Sequence, residues 1–111
     1  MAMANVIAPP ERYGSVAITA ATGCTISENY TTIQGNLAVV ELVVTANTAL
    51  TGNTPVVATF DDYVADTGKL LSVVGISNTY AYTQNGANTI RVKGTVASGT
   101  SLIIWGVVTL A

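Results

Sequence analysis

Ten residues, Asn36 to Thr45, constrain this chain more than any others. They read Asn-Leu-Ala-Val-Val-Glu-Leu-Val-Val-Thr, rich in β-branched side chains and free of Gly and Pro, which predicts a strand. Successive strand side chains point to opposite faces. The even positions Ala38, Val40, Leu42 and Val44 form one apolar face. The odd positions Leu37, Val39, Glu41 and Val43 form a second face that is almost as apolar. A strand on the outside of a small sandwich normally keeps one wet face. Two apolar faces predict that both are covered, one of them by another chain.

Composition sharpens this expectation. Hydrophobic residues make up 50% of the 111 and charged residues only 9%, against a usual charged share of about 25%. A domain of this size has room for one core. The apolar excess can go to a membrane, a fibril or an obligate oligomer. No run reaches the roughly 18–20 apolar residues of a spanning helix, and Leu102 to Ala111 is short and broken by Gly106. Met1 to Gly14 has no basic stretch ahead of an apolar one, and Pro9-Pro10 interrupt it, so no signal peptide and no membrane insertion are expected. Net charge is −2 with no cluster of Lys or Arg, which argues against nucleic acid. A single cysteine, Cys24, excludes an internal disulfide.

Along the chain, residues 1–12 read as an extended N-terminal arm and 13–111 as one domain. Pro9-Pro10 favour polyproline geometry, and Val6, Ile7, Pro9 and Pro10 are the candidate docking residues of the arm. Strands are predicted at Tyr13–Ala20, Cys24–Asn29 with Cys24, Ile26 and Glu28 on one side, Tyr30–Gln34, and the opening stretch after a Gly35-Asn36 turn. Val56–Phe60 and Leu70–Ser77 follow, separated by a charged surface loop from Asp61 to Lys69. Thr79–Gln84 and Thr89–Val96 flank Asn85-Gly86, the strongest hairpin signal in the chain. Leu102–Leu110 is the last strand and is again apolar on both faces. No segment has a convincing helical period. Eight or nine short strands with regular turns predict an all-β fold, an antiparallel β-sandwich of jelly-roll type.

The chemistry is sparse. There is no histidine, which removes the usual general base and histidine metal clusters. Cys24 reads as a small buried hydrophobe. Asp61, Asp62 and Asp66 share a loop that could hold a hard cation or act as paired carboxylates, but their spacing fits no calcium loop and a solvated loop is expected. No catalytic residue, metal or cofactor is assigned. Glu41 interrupts an apolar face, either at a sheet edge facing water or at a subunit contact, paired with Arg91 or Lys93. Tyr80 and Tyr82, two apart, share a strand face and could stack on a sugar or simply pack across strands. Asn29-Tyr30-Thr31 matches a glycosylation sequon. The candidate oligomer interface is Leu37, Val39, Glu41, Val43, Ile103, Trp105 and Val107.

Several stretches carry a resemblance. Gln34-Gly35-Asn36-Leu37-Ala38-Val39-Val40, then Val44-Thr45-Ala46-Asn47-Thr48-Ala49-Leu50, then Val57 to Thr59, resemble the β-sandwich domains of tailed-phage fibre, baseplate and head-fibre proteins. Asn85-Gly86, Ile90-Arg91-Val92, Ser98-Gly99-Thr100-Ser101-Leu102 and a final apolar strand are similar to the ends of such domains. Where many relatives carry a proline-containing turn, this chain has Phe60-Asp61-Asp62-Tyr63-Val64-Ala65. The resemblance implies a homo-oligomer, a trimer about a three-fold axis, located in the virion. Its implied partners are capsid, portal or tail proteins and, at a receptor-binding tip, host surface saccharide. A domain that makes up nearly the whole chain looks like a decoration or short fibre protein, or equally like a fragment of a longer fibre.

Overall fold

The computed structural model describes residues 11–13, 18–61, 69–75, 80–83 and 88–110. The described strands are β1 (Glu11–Tyr13), β2 (Ile18–Ala20), β3 (Cys24–Asn29), β4 (Thr32–Gln34) and β5 (Leu37–Ala46), then β6 (Val56–Phe60), β7 (Leu70–Val74), β8 (Ala81–Thr83), β9 (Thr89–Val92) and β10 (Ser101–Thr109). Every pairing is antiparallel. No helix among the described residues is long and apolar enough to cross a membrane.

Three pairings are nested in sequence: β5 with β10, β6 with β9, and β7 with β8. Nesting of this kind is one long antiparallel ribbon folded over on itself, which is the construction of a jelly roll. Further pairings of β7 with β10 and of β8 with β9 stitch the folded ribbon into a sheet ordered β1-β4-β5-β10-β7-β8-β9-β6-β2, with β3 alongside β5. β7 belongs to both layers and forms the corner between them. The architecture is an antiparallel β-sandwich, nearly closed as a barrel.

The core follows from alternation. Ala38, Val40, Leu42, Val44 and Ala46 of β5 are all buried, as are Leu102, Ile104 and Val108 of β10. They pack in one cluster with Phe60 of β6, Ala81 of β8, and Ile90 and Val92 of β9. Each Val, Leu, Ile or Phe among them, fully buried, contributes about 1.5–3 kcal/mol. Cys24 lies in the same cluster. Burial lifts its thiol above the ordinary range.

Two details depart from the sequence reading. The stretch expected as one strand from Tyr13 is divided: Tyr13 ends β1, paired with β4, while Ile18 opens β2, paired with β6 in the opposite layer. Glu11 and Arg12, assigned to the arm, are already paired strand residues, opposite Gln34 and Ile33. The arm residues Val6, Ile7, Pro9 and Pro10 lie outside the described residues, as does the Asn85-Gly86 turn. The strands flanking that turn pair as expected, with Ala81 opposite Val92 and Thr83 opposite Ile90.

Candidate interaction face

The outer surface of β5 and β10 is where the chain's surplus apolar surface goes. Residues directly opposite in an antiparallel pair share a face. Val39 stands opposite Val107, Glu41 opposite Trp105, and Val43 opposite Ile103. On the other side of β10, Val74 of β7 stands opposite Ile103. Leu37, Val39, Val74, Ile103, Trp105 and Val107 are each 42% to 50% exposed. All seven residues of the candidate interface therefore fall on one continuous face. Single exposed apolar side chains are ordinary, whereas a contiguous group of this kind is the feature that makes the face a candidate contact surface. The sequence reading missed Leu70 and Val74 of β7 and also Tyr30, all exposed on this surface. Alternation about the buried Leu71 was the available signal for the two β7 residues.

One end of the face is polar. The hydroxyl of Thr45 lies 3.1 Å from that of Ser27 and 3.0 Å from that of Ser101, so three strands share a row of hydroxyls. Apolar centre and polar rim is the usual anatomy of a protein interface.

Glu41 occupies the middle of this face, not a sheet edge, because β5 is flanked by β10 on one side and by β3 and β4 on the other. Its backbone is held in the gap where β3 ends and β4 begins. The Glu41 N–H donates to Thr31 Oγ1 at 3.2 Å, and its carbonyl accepts from the Tyr30 N–H at 2.8 Å. Thr31 is fully buried, and its own N–H donates to Asn29 Oδ1 at 3.1 Å. A shallow hollow of about 220 Å³ lies here, lined by Tyr30, Glu41, Val43, Ile103 and Trp105 among others.

A β-bulge decides the charge beside this hollow. The register slips between Ile26 and Glu28, so that Ile26 faces Val44 inside and Glu28 faces Val43 outside. The sequence reading placed Glu28 on the side of Cys24 and Ile26; the extra residue, Ser27, reverses that. Glu28 accepts a hydrogen bond from the Tyr30 phenol. That bond, then the carboxylate's charge, then slight desolvation hold the Tyr30 proton above its ordinary range. Asn29 turns inward, and its Nδ2 is buried without a hydrogen-bond partner. The sequon nitrogen is thus inaccessible in the folded chain.

Tyr80 and Tyr82 do share a face, with ring centroids 6.2 Å apart and planes at 52°. Tyr80 is exposed and Tyr82 half-buried. They line a cleft of about 330 Å³ with Thr54, Leu70 and Lys93. Tyr80 also borders a hollow with Ser72 and Trp105, which joins this cleft to the β5–β10 face. Register extends the link. Trp105 pairs with both Glu41 and Ser72. Leu71 pairs with Ala81, and Ala81 with Val92, so the next rung is Ser72, Tyr80 and Lys93. The Lys93 N–H donates to the Tyr80 carbonyl at 2.9 Å. Glu41, Trp105, Ser72, Tyr80 and Lys93 stand in one cross-strand row.

The chain matches no known protein family, no characterised protein and no solved structure. The chemistry of its surface therefore carries the functional argument. Among the described residues no group of three His, Cys, Asp or Glu is placed to hold a metal ion. Asp61 is exposed at the end of β6; Asp62 and Asp66 lie outside the described residues. Arg91 donates from its guanidinium to the Thr54 carbonyl at 2.8 Å.

Proposed function

We propose that this chain is a non-enzymatic structural subunit of a phage particle, a decoration or short fibre protein that works by assembling with copies of itself, three to an assembly. The observation that carries the proposal is the exposed apolar face of β5 and β10, with Leu37, Val39, Ile103, Trp105 and Val107 nearly half exposed at the centre of a sheet. Face-to-face or flank-to-flank packing would remove that surface from water, at roughly 25 cal/mol per Å². The phage assignment is supported by the turn and strand series that resembles fibre and baseplate domains, joined here to a jelly-roll sandwich. In this reading the arm, with Val6, Ile7, Pro9 and Pro10, docks on a neighbouring capsid, portal or tail protein.

Mass measurement in dilute solution tests assembly. A stable trimer is expected, and a monomer at micromolar concentration overturns the proposal. Antibody labelling of intact particles tests the location, and particles that bind no antibody would remove the virion assignment.

A second reading has its own observation. The Tyr80–Tyr82 cleft, exposed beside Lys93 and Thr54, has the aromatic surface and polar rim that suit a sugar. It makes the chain a receptor-binding tip that recognises host surface saccharide. A glycan array decides this reading: binding lost in Tyr80→Ala supports it, and an array without binding removes it.

A further inference from the structure

Outside the adjacent Glu11 and Arg12 and the stretch that carries Asp61, Asp62 and Asp66, the charges of this chain are sorted by position. From Tyr13 to Phe60 the only charged residues are Glu28 and Glu41; from Lys69 to Ala111 they are Lys69, Arg91 and Lys93. In the fold this sorting becomes spatial. The acidic pair lies on β3 and β5, the cations lie on and beside β7 and β9, and β10 between them is uncharged. The cross-strand row summarises the pattern: a carboxylate at Glu41, two aromatic side chains at Trp105 and Tyr80, and an ammonium at Lys93.

We infer that the face is covered by a second copy of this chain, the β3–β5 flank of one copy packing against the β7–β9 flank of the next, with Glu41 meeting Lys93 across the contact. The inference rests on the assembly reading and specifies its geometry. Three arguments support it. Within one chain the two ends of the row are four strand spacings apart, about 19 Å along the surface, beyond the reach of a lysine side chain. Covering Glu41 with an apolar surface alone would strand a carboxylate away from water, which is strongly unfavourable. A foreign partner of one charge sign would suit only one flank, whereas a copy of this chain suits both. The corner at β7 turns the two flanks to different sides, so each copy meets two neighbours and the contact is head to tail. Repetition of such a contact closes a ring.

The test is charge reversal, read by sedimentation at low and moderate salt. Glu41→Lys and Lys93→Glu should each weaken self-association by about ten-fold or more, and the chain carrying both should recover most of the loss. Both sites are exposed, so melting curves should confirm that each variant is folded. In a ring of three, mixing the two single variants leaves one contact mismatched and recovery stays partial; in a ring of four it is complete. Glu41→Lys assembling as tightly as the wild type, or a double variant no better than the single ones, would overturn the arrangement while leaving assembly intact. A two-copy assembly would also overturn it. A wild-type chain that stays monomeric removes the assembly reading and this one with it.

Discussion

Leu71 of β7 lies against the backbone of Gly106 in β10. A methyl group placed on Gly106 would come within 2.5 Å of Leu71 Cδ2. The apolar last strand therefore carries a glycine at its centre because a leucine from the next strand already fills the space. Gly106→Ala should destabilise the fold by about 1–3 kcal/mol through overpacking. Leu71→Ala alone should cost about 2–5 kcal/mol. Together they should cost less than the sum, which urea unfolding of the two single variants and the double variant would measure.

Val43 and Val44 are neighbours with opposite fates. Val44 is fully buried and Val43 faces outward beside Ile103. Val43→Asp should dissociate the assembly while the separated subunit stays folded. Val44→Asp should unfold the domain outright, since an unpaired carboxylate cannot be accommodated in the core. Sedimentation together with circular dichroism separates the two results. Val43→Asp unfolding the isolated domain would place Val43 in the core instead.

Thr31 supplies the acceptor for the Glu41 N–H where the ladder between β3 and β4 is interrupted. Thr31→Val keeps the shape and removes the oxygen. It should cost about 1–3 kcal/mol for a buried donor left unpaired. Thr31→Ser should recover most of that, and denaturant melts of the two variants provide the comparison.

Cys24 should be slow to react with a thiol reagent in the native protein and fast in urea, because burial disfavours its thiolate. The linkage has a definite sign. A native-state pKa raised above the unfolded value means that the native state keeps the proton longer. The stabilisation is complete below the ordinary thiol range, about 8.5, and is lost as pH rises through the native value. Unfolding free energies measured from pH 8 to 10 should fall in the wild type and fall less steeply in Cys24→Ala.

How much of this was legible in the sequence depends on the kind of feature. β5 was legible because the four even positions from Ala38 to Val44 are apolar without a break, and every one is buried; Ala46, read as the start of a loop, continues the strand. The apolar character of its odd face, interrupted only by Glu41, was legible from the same alternation. The Gly35-Asn36 turn was legible because Gly35 takes a φ of 59°, which glycine adopts without strain. The bulge at Ser27 was not legible. Alternation continues straight through Ile26 and Glu28 in the sequence, and only the pairing with β5 shows the slip. The division of the first strand between two layers is likewise a matter of partners, since Tyr13 and Ile18 look alike in β propensity. The cross-strand row of Glu41, Trp105 and Lys93 needs residues from distant parts of the chain to be aligned, which local patterns do not encode.

The position of β10 has a consequence for how the protein is made. The strand is inserted between β5 and β7, both synthesised well before it. Until Ser101–Thr109 leaves the ribosome, β5 and β7 have raw backbone edges where their common neighbour will sit, and contacts between such remote segments form slowly. A nascent chain whose oiliest strand appears early and whose mate appears late is exposed to sticking, so its yield in cells should depend on chaperone supply and on temperature during synthesis.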